Sequence, residues 1–120
     1  MYIKYFNNSY HLGLIAEYYA KYWLIAHGLK ILAHRYSSPY GEIDLILQDQ
    51  ATLVALEVRF RRHPRSKTAA ESITPLKYTR IIQTLEYYRQ YHPTPHLPNE
   101  RIDCIAIDHW GIQWLKNIEL

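Results

Sequence analysis

Three carboxylates fall inside apolar, strand-like runs: Glu42 and Asp44 in GEIDLILQD (residues 41–49) and Glu57 in TLVALEVRF (residues 52–60). A carboxylate on a half-buried strand is costly unless it is paired, hydrogen-bonded or bound to a metal. If the two runs pair as a hairpin, Asp44 and Glu57 meet on a common face, where like charges repel without a cation between them. A hard divalent ion such as Mg²⁺ or Mn²⁺ prefers oxygen ligands and resolves that repulsion. Ion pairs with Arg59, Arg61 or Arg101 are the other resolution, and spacing alone leaves both open. Arg59 follows Glu57 by two residues on the same strand face. An acid that holds a metal, beside a cation that steadies a phosphate or a developing oxyanion, is what phosphodiester hydrolysis needs.

The charge distribution extends this pattern. Residues 59–67, RFRRHPRSK, carry Arg59, Arg61, Arg62, Arg65 and Lys67 and no acid, whereas residues 42–57 carry Glu42, Asp44, Asp49 and Glu57 and no base. The basic run reads either as a solvated loop or as a stretch that contacts nucleic-acid phosphates. A net charge of +3 permits a polyanionic partner without demanding one.

The elements that would position these groups are legible from periodicity. In HLGLIAEYYAKYWLIAHG, Leu12, Ile15, Ala16, Tyr19, Trp23 and Ala26 recur at helical spacing, and Gly28 is a stop signal. Glu17 points away from that stripe, with Lys21 one turn on as its simplest partner. LKILAHRY (29–36) is a first strand, closed by Ser37-Ser38-Pro39. The second strand places Glu42, Asp44 and Ile46 on one face and Ile43, Leu45 and Leu47 on the other, with a turn at Asp49-Gln50. The third places Leu53, Ala55, Glu57 and Arg59 opposite Val54, Leu56, Val58 and Phe60. Thr74-Pro75 opens a second helix, in which Ile81, Leu85 and Tyr88 face inward and Lys77, Arg80 and Arg89 face solvent or a ligand. RIDCIAID and GIQWLKNIEL are the last strands, so the order is α-β-β-β-α-β-β in an α/β domain spanning residues 1–120.

No apolar run approaches the roughly 18 to 20 residues of a membrane span, and the opening MYIKYFNNSYH is no signal peptide, so a cytoplasmic protein is expected. Cys104 is expected as a buried thiol. The seven histidines show no zinc-ligand spacing. The tyrosines of the helices, Tyr18, Tyr19, Tyr22, Tyr87, Tyr88 and Tyr91, are expected in the core or an oligomer interface rather than against bases.

Taken in order, G-L-I-A-E-Y-Y-A, G-E-I-D-L-I, E-V-R-F-R, A-A-E-S-I-T-P-L-K and R-I-D-C-I-A-I resemble the YraN family over about residues 13–118. These small bacterial proteins are placed in the restriction-endonuclease-like superfamily, near archaeal Holliday-junction resolvases. The resemblance implies a restriction-endonuclease-like core, a mixed sheet flanked by helices, and a metal-dependent endonuclease acting on nucleic acid, DNA before RNA and branched DNA in particular, as a homodimer. It makes Asp44 and Glu57 the metal ligands for Mg²⁺ or Mn²⁺, Glu17 an accessory ligand and position 59 the catalytic lysine. Here Arg59 departs from the superfamily's E-x-K, and arginine stays charged at any relevant pH, so it can stabilise charge but not act as a base. The implied catalytic set is Glu17, Asp44, Glu57 and Arg59, with Arg61, Arg62, Arg65, Lys67 and Lys77 on the nucleic acid. Lys77 supplies the missing amine if the second helix lies over the site. The alternative reading is a non-cleaving nucleic-acid-binding module with a degenerate site.

Overall fold

The computed structural model of the chain describes residues 9–60, 73–108 and 111–119. Arg61, Arg62, Arg65 and Lys67 lie outside them. Helix α1 (Ser9–Ala26) leads into β1 (Lys30–Ser38), β2 (Gly41–Asp49) and β3 (Thr52–Phe60); α2 (Pro75–Tyr91) returns the chain to β4 (Asn99–Asp108) and β5 (Gly111–Leu115). The five strands form one sheet in the order β1-β2-β3-β4-β5. Only β3 and β4 run parallel, as the crossover through α2 requires; the other pairs are antiparallel. The element order is the one expected, and the fold is α/β with a restriction-endonuclease-like core.

Strand alternation divides the core into two layers. Leu53 and Ala55 of β3, with Ile102, Cys104 and Ala106 of β4, pack under Ile81, Leu85 and Tyr88 of α2. Val54, Leu56 and Val58, with Ile105, pack under Ala16, Ala20 and Leu24 of α1. Each large apolar side chain so buried contributes roughly 1.5–3 kcal/mol. The β2 alternation departs from expectation, because Ile43 joins Ile46 on the α2 side while Leu45 and Leu47 lie against α1. The β2–β3 turn is Gln50-Ala51 rather than Asp49-Gln50, since Asp49 pairs with Thr52 and Gln50 takes the left-handed φ of 54°.

Helix α1 ends as its glycine indicates. Gly28 (φ 85°) lets its own N–H reach Ile25 O and the Leu29 N–H reach Leu24 O at 3.1 Å, which satisfies two terminal carbonyls. Its buried face, however, is rotated from the expected stripe: Ala16, Glu17, Ala20 and Leu24 are buried, while Ile15 and Tyr19 are exposed. The alanines let the helix backbone approach the sheet closely, which bulky residues on that face would prevent. Of the helix tyrosines, Tyr88 lies in the core, while Tyr18, Tyr19, Tyr22 and Tyr91 are exposed on this single chain.

At the head of α2, Thr74 Oγ1 accepts a hydrogen bond from Lys77 N at 3.2 Å, and Pro75 occupies the first turn, where no N–H is needed. Thr74→Ala is expected to cost about 1 kcal/mol, a drop of about 4 °C in the thermal midpoint by circular dichroism; an unchanged midpoint would show that the cap does not hold the helix start.

At the other end of the sheet, Asp103 is fully buried and accepts from Arg101 Nε at 3.0 Å, Trp114 Nε1 at 3.0 Å and Asn117 N at 2.8 Å. Arg101 Nη2 also donates to Asp49 at 2.7 Å. Arg101 is thereby engaged at the β2–β3 turn and does not serve the Asp44–Glu57 pair. No helix of the described residues is long and apolar enough to cross a membrane.

Candidate active site

The site forms where β2 and β3 separate. Their ladder runs from Asp49↔Thr52 to Leu45↔Leu56, while β3 stays paired to β4 as far as Phe60↔Ile107. The next pair in that register would be Asp44 and Glu57. In place of a ladder bond, the Val58 N–H donates to Asp44 Oδ2 at 2.8 Å. The two carboxylates therefore sit side by side in an opening fork, and one of them is nearly sealed from water.

Glu57 is 2% exposed. Its Oε2 lies 3.5 Å from Arg59 Nη2 and 3.4 Å from Lys77 Nζ, while Oε1 is buried and, among the described residues, has no hydrogen-bond partner. Burial, and after it the Asp44 charge, push the Glu57 carboxyl well above the usual glutamate value of 4.5, and Arg59 only partly opposes them. Arg59 Nη1 is 3.9 Å from Asp44 Oδ2 and donates to Val58 O at 3.0 Å, so one guanidinium touches both acids.

Glu17 approaches from α1. Its carboxyl is raised by burial and then by Asp44, and lowered by Arg35 and His34. The partner is not Lys21: Glu17 Oε2 lies 3.1 Å from Arg35 Nε and 3.4 Å from His34 Nε2. Arg35 falls between the His34↔Leu45 and Tyr36↔Ile43 pairs, opposite Asp44, and adopts φ 54°. A left-handed non-glycine residue within a strand is uncommon and costs energy, and such positions concentrate at functional sites. His34 and Arg35 are the site residues that sequence reasoning missed. The strand pattern carries no signal of a residue that leaves its pleat.

Among the described residues, no three His, Cys, Asp or Glu side chains form a metal-holding group. Asp44 and Glu57 nonetheless suit a magnesium-like ion, which commonly takes one or two protein carboxylates and completes its shell with water and phosphate. The orphaned Glu57 Oε1 is the observation in favour, because a buried polar atom without a partner is rare and a hard cation satisfies it. Lys77, expected to meet the nucleic acid or to supply an amine, reaches the site from α2, with its Nζ 3.4 Å from Glu57 Oε2. Glu42 stays outside the cluster, exposed and bonded to Ser37.

Cys104 lies beneath the site, fully buried as expected. Its thiol is pushed up to about 12, chiefly by burial and next by the Glu57 charge. Iodoacetamide is expected to leave it unmodified in the native protein at pH 8 and to alkylate it in denaturant, read by intact mass; equal rates in both states would contradict the buried placement.

Residues 16–107 match the model of a family described as "Uncharacterised protein family UPF0102". A UPF0102 protein of Dichelobacter nodosus is 44% identical over 111 residues, covering 88% of this chain and 86% of that protein. One from Francisella tularensis subsp. tularensis is 37% identical over 107 residues, covering 88% and 92%. One from Methylobacillus flagellatus is 37% identical over 106 residues, covering 88% and 94%.

Proposed function

We propose that this chain, which belongs to the uncharacterised protein family UPF0102, is a metal-dependent endonuclease-like phosphodiesterase acting on nucleic acid, DNA before RNA. Asp44 and Glu57 are the ligands of Mg²⁺ or Mn²⁺. The observation that carries this reading is the buried Glu57 Oε1, which has no hydrogen-bond partner among the described residues and lies beside a second carboxylate. When bound, the ion supplies Lewis-acid stabilisation of the charge that develops on the phosphate.

The chain's own groups do the rest. Arg59, anchored on Val58 O, holds a permanent positive charge at the mouth of the fork and stabilises phosphate oxygens. Lys77 brings an ammonium to Glu57 from the helix, in the place of the lysine that the superfamily pattern expects at position 59. Glu17, fixed by His34 and Arg35, adds negative charge beside Asp44 and strengthens the pull on a cation. Asp44 is oriented by the Val58 N–H.

A second reading has its own observation: the Arg59 guanidinium reaches both acids, at 3.9 and 3.5 Å, and with the Lys77 ammonium balances their charge without a metal. In that case the fold binds nucleic acid and does not cut it. Incubating the purified protein with linear, flapped and four-way DNA and with RNA separates the two. Cleavage that needs Mg²⁺ or Mn²⁺ and stops with EDTA is the expected result. Salt-sensitive binding with no cleavage under either metal would replace the first reading by the second.

A further inference from the structure

We propose that one face of α2, together with the β1–β2 turn, binds unpaired nucleotides: phosphates of a single-stranded tract meet Lys77 and Arg80, and its bases stack on Tyr40 and Tyr91. The assignment rests on the nucleic-acid reading above and adds the form of the substrate.

Lys77, Arg80, Thr84, Tyr87 and Tyr91 recur at steps of three and four, so they line one face of the helix. From Lys77 to Tyr91 that face runs about 21 Å, the span of several nucleotides at the roughly 3.4 Å of a stacked strand; its middle, at the fully buried Thr84, is covered by the β1–β2 turn, over which the tract would pass. Its first member is the ammonium beside Glu57, so the strip begins at the proposed site of cleavage. Arg80 is exposed and makes no ion pair with a described residue, unlike Arg35, Arg59, Arg89 and Arg101. Next to it lies a surface cavity of about 270 Å³, whose charged lining residues are Lys77, Arg80 and the single acid Glu42.

The β1–β2 turn is fastened to this face. Ser38 Oγ and Thr84 Oγ1 share a hydrogen bond of 2.8 Å, and the Tyr40 N–H donates to Ser38 Oγ at 3.0 Å. Gly41 lies so close that a Cβ there would stand 3.6 Å from Arg80 Cβ. The turn therefore holds Tyr40 beside Tyr87, with ring centroids 6.4 Å apart, and Tyr87 in turn contacts Tyr91 at 4.8 Å. Tyr40 is 49% and Tyr91 65% exposed, the opposite of core aromatics. Cations at one end of a strip and open aromatic rings at the other are the two components of a single-strand platform. A duplex could use only the cations, because its bases are already stacked on one another.

Fluorescence anisotropy in EDTA, where no cleavage occurs, tests this with labelled oligo-dT, oligo-U and a duplex of equal length. Both single strands are expected to bind more tightly than the duplex, and the dT and U arms distinguish DNA from RNA as the preferred source of the tract. Tyr40→Ala and Tyr91→Ala should each weaken single-strand binding about tenfold, Tyr40→Phe and Tyr91→Phe should retain it, and Tyr22→Ala on α1 should change nothing. Equal affinity for duplex and single strand, indifferent to the tyrosine variants, would overturn this inference and leave the nuclease reading standing. Failure to bind any of the three at low salt would overturn this inference, and failure to cleave any of them with Mn²⁺ as well would overturn the nuclease reading.

Discussion

Glu57→Gln is expected to lower metal-dependent cleavage by at least about a hundredfold and, in metal-free buffer at neutral pH, to raise the thermal midpoint by a few degrees. The loss follows from removing one of the two carboxylates proposed to hold the metal. The gain follows from the same burial that makes Glu57 useful. A carboxyl raised above 4.5 by burial and by Asp44 is harder to ionise in the folded chain than in the unfolded one. Its contribution to stability is full below the unfolded value and is lost as pH rises through the folded value, because the unfolded chain gives up the proton first. Neutral glutamine has no such penalty, and the metal-free wild type should become less stable with rising pH across that window while the variant does so less. Calorimetric scans of both proteins across that window read the difference directly. Saturating Mn²⁺ should reverse the order, since the ion stabilises only the folded wild type. A variant less stable than wild type in EDTA would mean that Arg59 and Lys77 already compensate the charge in full.

At the proposed cleavage site, Lys77 rather than Arg59 is expected to be the cation that matters most to the rate. Lys77→Met should reduce cleavage by about a hundredfold, with Lys77→Arg recovering part of it, whereas Arg59→Lys should change the rate by less than about threefold. Lys77 Nζ is already 3.4 Å from Glu57 Oε2, so an ammonium is present and a second one at position 59 adds little. Single-turnover cleavage of a labelled substrate measures all three variants, and their unfolding midpoints serve as the control for folding. If Arg59→Lys instead raised the rate tenfold or more while Lys77→Met had no effect, the amine would belong on the strand and Lys77 would be a nucleic-acid contact only.

Much of this arrangement is legible in the order and spacing of the residues. Strand alternation puts Glu57 and Arg59 on one face of β3, and the Thr74-Pro75 start of α2 is a local signal that needs no tertiary context. What periodicity does not carry is where pairing stops. The fork at Asp44 and Glu57 exists because β2 leaves β3 while β4 keeps it, a consequence of register across three strands. The proximity of Lys77 to Glu57 likewise depends on how the crossover lays α2 on the sheet. The inner face of α1 differs from the expected stripe for a related reason: hydrophobicity alone favours Ile15 and Tyr19, whereas close packing selects Ala16 and Ala20. Glu17 is then buried with them, on a face where a lone carboxylate would be refused without His34 and Arg35 to receive it.

Titration of Mn²⁺ into the purified protein, followed calorimetrically, addresses the paired carboxylates most directly. Wild type should bind one ion per chain, Asp44→Asn and Glu57→Gln should lose that binding, and Glu42→Gln, a change at the exposed carboxylate outside the fork, should keep it. Binding that persists unchanged in both fork variants, or none by wild type at millimolar Mn²⁺, would contradict the assignment of Asp44 and Glu57 as a metal site.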